Sequence, residues 1–262
     1  MPKLRLDALL AQRGLFGTRT RAAASVMAGE VRIGGDDRAA VKPGQLVAED
    51  IELDVAQGAD YVSRGGRKLA NALRDTGVPV RGRRALDVGA STGGFTDCLL
   101  QHGAAYVTAV DVAYGELSWR LREDERVSVL ERTNARYLHP AELPWAPDLI
   151  VLDVSFISLT KVLPAVLGCA AARFDCLALC KPQFEVGRGR VGKGGVVRDA
   201  GERRAAMVSV ARSAQASGAS VQGFASSGLP GPKGNLETFV WLADPSRPGV
   251  EHLAAAARQV EP

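Results

Sequence analysis

The stretch Ala85-Leu86-Asp87-Val88-Gly89-Ala90-Ser91-Thr92-Gly93-Gly94-Phe95 constrains this chain more than any other. A short run of buried-strand character leads into a glycine-bearing turn, and the chain then continues as a helix through Asp97, Leu99 and Leu100. Such a turn lets a ligand approach bare backbone, and the helix N-terminus behind it favours polar or anionic groups. The spacing does not fit the dinucleotide fingerprint, which needs glycine at its first, third and sixth positions. Here Asp87 leads, Gly89 follows two places on, and the pair Gly93-Gly94 closes the turn.

That order, carried by Asp87, Gly89, Ala90, Ser91, Thr92, Gly93, Gly94 and Phe95, resembles the first motif of S-adenosylmethionine-dependent methyltransferases. There the turn wraps the methionine part of the cofactor. Beyond the turn the chain alternates strand and helix, which predicts a doubly wound, Rossmann-like α/β sheet. Expected strands are Arg84 to Val88, Tyr106 to Val112, Val127 to Leu130, Leu149 to Val154 and Cys176 to Cys180. Near-continuous apolar runs such as Leu149-Ile150-Val151-Leu152 fit strands covered on both faces. A helix over 201–216 leads to two further segments, 221–225 and 237–242. Joined by Gly228-Leu229-Pro230-Gly231-Pro232, they form an antiparallel hairpin and bring the expected sheet to seven strands. The alanine-rich stretch 250–262 reads as a helical tail without an assigned role.

The N-terminal stretch has a different character. Residues 3–13 place Leu6, Leu9, Leu10 and Arg13 at helical spacing, and a second helix over 18–28 turns Ala22, Ala23, Val26 and Met27 inward. Short alternating segments follow at Val31–Ile33, Val41-Lys42 and Ile51–Val55, separated by turn signals at 34–37 and Pro43-Gly44. Two small helices followed by strands, with Arg5, Arg19 and Arg21 on the helices, resemble the S4 RNA-binding domain. Six basic residues stand against two acidic ones between Met1 and Arg32. The net charge of the whole chain is only +4, so an RNA surface has to come from such local clustering. The glycine-rich residues 56–67 read as a boundary. The expected domains are therefore an S4-like one at 1–58, a linker at 59–67, a catalytic domain at 68–245 and a tail at 246–262.

No stretch is apolar enough to span a membrane, and the charged N-terminus does not read as an export signal, so a cytoplasmic location is expected. Cys98, Cys169, Cys176 and Cys180 lie in apolar surroundings without paired metal-ligand spacing. Free buried thiols are expected, and no metal site.

Ligands of open α/β sheets bind beyond the carboxyl ends of the strands. The polar residues expected there are Asp87, Asp111, Thr133-Asn134, Asp153 and Lys181. Asp111 stands 24 residues after Asp87, a suitable distance for a carboxylate that accepts hydrogen bonds from a cofactor ribose, although dinucleotide folds use such a residue too. Asn134 fits an adenine contact or a helix N-cap. Lys68, Asp153, Lys181 and Glu237 are each charged beside a run that should be buried. An ordinary salt-bridge cluster is one reading of these four. The other is base catalysis on a weakly acidic hydroxyl, since partial burial beside a like charge helps a lysine give up its proton.

With Ser63-Arg64-Gly65-Gly66-Arg67-Lys68-Leu69, Asp153-Val154-Ser155-Phe156-Ile157-Ser158, Lys181-Pro182-Gln183-Phe184-Glu185 and Asn235-Leu236-Glu237, the match becomes specific. The chain resembles, over nearly its whole length, the TlyA-type ribosomal RNA 2′-O-methyltransferases, also called the hemolysin A family, which have an FtsJ-like catalytic domain. The resemblance implies S-adenosyl-L-methionine as cofactor, with Asp153 beside it. It further implies ribosomal RNA within ribosomal subunits as partner, cytidine as target, and a catalytic tetrad of Lys68, Asp153, Lys181 and Glu237 with Lys181 as base. Arg64, Arg67 and the glycine-rich loop bearing Arg188, Arg190, Lys193 and Arg198 are candidate phosphate contacts, against the plainer reading of a solvated loop. Rival readings are a catalytically silent RNA-binding or ribosome-assembly factor, a membrane-active hemolysin and a small-molecule O-methyltransferase.

Overall fold

A computed structural model describes residues 3–16, 18–27, 31–34, 38–39, 42–55 and 60–261. Ala28, Gly29-Glu30, the turn signal at 35–37, Val41 and the expected boundary at 56–59 lie outside the described residues, as does the side chain of Arg188. The chain divides into two compact units, 1–63 and 64–262.

The first unit holds β1 (Lys3–Arg5), α1 (Leu6–Gln12), α2 (Arg19–Met27), β2 (Val31–Ile33), β3 (Arg38–Ala39), β4 (Leu46–Ala48) and β5 (Leu53–Val55). Its opening residues are strand rather than the start of the expected helix, because Lys3 to Arg5 pair antiparallel with Leu46 to Ala48. Lys42, read as strand, is not in one, and the β4 ladder forms further on. Leu6, Leu9, Leu10, Ala22, Val26, Val31 and Val47 form a small core. Met27, expected inside, is 73% exposed, since the short α2 buries only Ala22 and Val26.

The second unit begins with α3 (Arg64–Thr76), so the helix starts inside the expected linker. Leu69, Ala72 and Leu73 supply its buried face, and that packing carries the helix back through the Gly65-Gly66 pair. Then follow β6 (Arg84–Val88), α4 (Gly94–Gln101), β7 (Tyr106–Val110), α5 (Trp119–Arg122), β8 (Val127–Leu130), β9 (Leu149–Leu152) and α6 (Leu159–Leu167). The chain ends with β10 (Asp175–Cys180), α7 (Pro182–Glu185), α8 (Ala200–Ala216), β11 (Ser220–Ser226), β12 (Thr238–Ala243) and α9 (Leu253–Val260).

Seven strands make one sheet in the order β11-β12-β10-β9-β6-β7-β8. The five from β8 to β10 are parallel, and β12 and β11 close the sheet antiparallel, as expected. The chain runs outward from β6 to β8 and then returns to lay β9 on the other side of β6. The gap above β6 and β9 is therefore the switch point where such sheets bind ligands. Two strands end earlier than the sequence suggests. After β7, the Asp111 carboxylate accepts from its own chain at Ala113 N (2.8 Å), which turns the backbone out of the ladder. After β9, the Asp153 carbonyl faces the glycine turn instead of a neighbouring strand. The stretch 246–262 is not a loose tail: Val250, Leu253 and Ala257 pack with the main core, and Val250 N donates to Val221 O at 2.8 Å. All four cysteines are free and buried.

Candidate active site

The glycine turn is built by close approach. Gly89 has φ +85°, and a Cβ there would stand 2.7 Å from the Asp153 carbonyl oxygen. Gly93 has φ +97° and precedes α4, and a side chain there would run into Leu121 and Leu117. Ser91, with φ +47°, carries the remaining bend. The backbone amides of the turn are mostly used internally. Gly89 N and Ala90 N donate to Val110 O, Gly93 N donates to Ala90 O, and Ser91 N donates to Asp111 Oδ2 at 2.7 Å. A phosphate cradle needs such amides free, so this turn is poorly suited to a pyrophosphate.

The crevice beside it asks for the opposite kind of ligand. Ala90, Ser91, Ala109, Ala113, Leu117 and Val129 line it together with three carboxylates, Asp111, Glu116 and Glu131. Glu131 is tied down by Arg122 and by Gly115 N (2.8 Å), and Ser91 Oγ donates to Glu116 (3.2 Å). Each carboxylate oxygen has a second lone pair, so the crevice accepts hydrogen bonds from hydroxyl or ammonium donors. Below the turn, Asp87 is fully buried. Its Oδ2 accepts from Thr96 Oγ1 at 2.6 Å, while Oδ1 has no partner. Burial above all, with the nearby charges of Asp153 and Asp111 and against the Thr96 hydrogen bond, pushes this carboxyl up to about 7. A cationic group arriving near Oδ1 would favour its charged form.

The four charged candidates meet at one edge of the sheet, as two pairs. Cys180 lies opposite Thr238 in the β10–β12 ladder, so Lys181 and Glu237 are the next residues on adjacent strands. Ala178 lies opposite Leu152 in the β10–β9 ladder, which puts Asp153 at the same edge. Lys68 reaches in from α3, and its Nζ is 2.5 Å from Glu237 Oε2, with both side chains buried. Lys181 Nζ is 2.6 Å from Asp153 Oδ1 and donates to Ser155 Oγ at 2.9 Å. This second pair is more open, with 22% of the Asp153 side chain exposed. The arrangement is an inner, buried ion pair beside an outer, more open one.

A model of the FtsJ-like methyltransferases matches residues 61–244. The chain is 52% identical to the 16S/23S rRNA (cytidine-2′-O)-methyltransferase TlyA of Mycobacterium tuberculosis, over 92% of this chain and 90% of that protein. It is 40% identical to Hemolysin A of Brachyspira hyodysenteriae, over 75% of this chain and 81% of the relative. A solved structure from Streptococcus thermophilus, described as a candidate hemolysin, superposes with a TM-score of 0.76 at 39% identity, covering 99% of this chain and 96% of that one. The chain belongs to the TlyA family of FtsJ-like methyltransferases. No helix among the described residues is long and apolar enough to cross a membrane. Among them, too, no group of three or more His, Cys, Asp or Glu stands ready for a metal ion.

Within this TlyA-family chain the other sequence candidates take distinct places. Thr92 is exposed on the turn, and Gly94 opens α4. Phe95 is buried with its ring 5.8 Å from that of Phe239. Asn134 is an N-cap, its side chain accepting from Arg136 N at 3.1 Å. Arg5 makes a two-point pair with Asp7, and Arg19 reaches the same carboxylate at 3.5 Å. Arg21 is exposed. Arg64 donates to Pro230 O (3.1 Å), Arg67 is exposed, and Arg190 pairs with Glu202 (3.0 Å). Lys193 and Arg198 are exposed on the loop after α7.

Sequence reasoning did not single out four residues. Ser155 orients Lys181. Gly231 lies so near Glu237 that a Cβ would meet its carboxylate. Glu185, partly buried and pushed up by that burial, accepts from Ser158 Oγ (2.5 Å) and Leu159 N (2.8 Å), locking α7 to the start of α6. Asp7 gathers two arginines. Ser155 and Glu185 stand inside motifs already quoted, so their position was the available signal. For Gly231 and Asp7 only the folded contacts reveal the role.

Lys68→Met leaves Glu237 buried without a partner and should cost about 3–5 kcal/mol in urea unfolding, whereas Lys68→Met with Glu237→Leu should recover most of that loss. A double variant as unstable as the single one would contradict a buried pair. For Asp87, the raised carboxyl in the unliganded fold means stability present below pH 4 and lost as pH rises through about 7. Asp87→Asn should therefore gain relative to the parent between pH 5 and pH 8. An unchanged difference across that range would count against the buried carboxyl.

Proposed function

We propose that this chain transfers a methyl group from S-adenosylmethionine to the ribose 2′-hydroxyl of cytidine in ribosomal RNA. The observation that carries the reading is the outer pair, Lys181 with Asp153 and Ser155, standing where the glycine turn meets the sheet edge. The same chemistry is what the M. tuberculosis relative's name describes.

The residues present fit the cofactor. Asp111, with Glu116 and Glu131 beside it, would hold ribose hydroxyls, and the apolar walls at Ala90, Ala109 and Val129 would flank the base. Asp87 and the turn from Gly89 to Gly94 would face the methionine part, whose ammonium suits the unpartnered carboxylate oxygen. Bound there, the cofactor supplies an electrophilic methyl group on a positively charged sulfur.

A ribose hydroxyl is barely acidic, so its proton has to leave as the new bond to carbon forms. Lys181 takes that proton at Nζ, which it can do only as the neutral amine. Asp153 then offsets the charge that the lysine regains, and Ser155 fixes the direction of the amine. Lys68 and Glu237 hold the floor of the site with a charge balance of their own, so the outer pair is not drawn inward.

The N-terminal unit is read as an S4-like RNA-binding domain spanning 1–58, and residues 68–245 as the catalytic domain. Two arginines sharing Asp7 offer a fixed cationic surface, to which Arg21 adds a third positive charge. Arg64, Arg67 and the loop at 188–198 extend phosphate contacts to the catalytic domain. On this reading the partner is ribosomal RNA within ribosomal subunits, and the protein works in the cytoplasm.

Lys181→Ala should lower the rate of transfer to isolated ribosomal subunits by about 10²–10⁴-fold with cofactor binding little changed. Lys181→Arg should be equally inactive, since a guanidinium keeps its proton. Activity surviving in the arginine variant would rule out Lys181 as base. Arg5→Ala and Arg19→Ala should each weaken RNA binding and lower the slope of log affinity against log salt by about 1. An unchanged slope would mean that these arginines do not touch phosphate.

A further inference from the structure

The loop after α7 carries Arg190, Lys193 and Arg198, and its C-terminal end is held from two sides. Asn235, almost fully buried two residues before Glu237, donates from Nδ2 to Gly195 O (2.8 Å) and accepts at Oδ1 from Val197 N (2.9 Å). From the other side, Arg203 on α8 donates from Nη1 to the carbonyls of Val197 (3.1 Å) and Arg198 (2.7 Å). Val197 is thus gripped through its amide by the final hairpin and through its carbonyl by α8.

Arg203 is itself held. Its Nη2 lies 2.5 Å from Glu261 Oε1, and the two side chains are only 13% and 8% exposed. Arg204 Nη1 adds a bond to the Glu261 carbonyl at 3.2 Å. Glu261 immediately follows α9, which packs through Ala257 into the core. A guanidinium is a rigid planar fork, so fixing one of its nitrogens on a carboxylate fixes the direction of the other. A buried ion pair is an expensive way to seal a helix end, and apolar residues would serve packing as well. What the pair supplies instead is direction for the two bonds to the loop.

We propose that Glu261, acting through Arg203, is a positioning residue for methyl transfer. The last helix of the chain aims the Arg203 fork at Val197 and Arg198 and so presents the loop to RNA. This rests on the reading of residues 188–198 as an RNA-gripping segment. Neither residue is among the reacting groups, so the effect should fall on RNA recognition and leave cofactor binding alone.

The test uses the full chain with isolated ribosomal subunits and labelled S-adenosylmethionine. Glu261→Gln should raise KM for the subunits about tenfold, the size of one charge-assisted hydrogen bond, with kcat and cofactor Kd within about twofold. Tryptic cleavage between Arg188 and Arg198 should become faster. Arg203→Lys keeps the charge but not the fork and should show the same split, which keeps the proposal open to refutation if the first variant folds poorly. Unchanged KM and cleavage in folded variants would overturn it, as would a loss confined to kcat that tracks the unfolded fraction. Replacing Arg188, Arg190, Lys193 and Arg198 together by alanine separates the two readings. If that variant keeps the parental KM, the loop does not grip RNA. If its KM rises while Glu261→Gln has no effect, only the positioning role fails.

Discussion

The backbone of Gly89 lies against the Asp153 carbonyl so closely that a Cβ would stand 2.7 Å from the oxygen. That contact joins the two strands flanking the switch point, and the rest of the site depends on it. It brings the turn beside the crevice within reach of the end of β9, and it leaves Asp153 facing Lys181 across the sheet edge. A residue with a side chain at 89 would need both a strained φ and a displaced strand end. The glycine is therefore a condition of the chemistry as much as of the turn.

Charge is distributed around that contact by depth. Asp87 lies deepest, with one oxygen unpartnered. Lys68 and Glu237 neutralise each other just inside the edge, and Lys181 with Asp153 is the more open pair. A pair without solvent is rigid and costly to break, while a pair with partial access can exchange a partner for a substrate. The same logic recurs further out, where Arg203 and Glu261 are mostly buried while Lys193 and Arg198 on the loop they hold are exposed.

Much of this was legible in the sequence. The apolar runs of β6, β9 and β10 marked parallel strands, and Asp87, Asp153 and Lys181, at or just past their ends, marked the edge of the candidate site. Less legible were features decided by contacts between distant segments. The N-terminal strand at Lys3–Arg5 reads as helix because its partner at Leu46–Ala48 lies far along the chain. Helix α3 hides its first turn behind two glycines, and Met27 fits an apolar stripe that the short α2 does not bury. The grouping of the four charged residues into an inner and an outer pair could not be read either, because it depends on which residue α3 brings to the edge. The helix in the stretch after 246 was legible but its role was not, because alanine gives a weak pattern; it packs into the core and holds Arg203.

The group that Lys181 is proposed to deprotonate is a ribose hydroxyl. Nucleoside analysis of ribosomal RNA after incubation with the protein and labelled S-adenosylmethionine tests this most directly. Complete digestion should return the label as 2′-O-methylcytidine, accumulating at least about a hundredfold more slowly with the Lys181→Ala variant. Label on a base, or label in 2′-O-methylcytidine that accumulates as fast without Lys181, would contradict it.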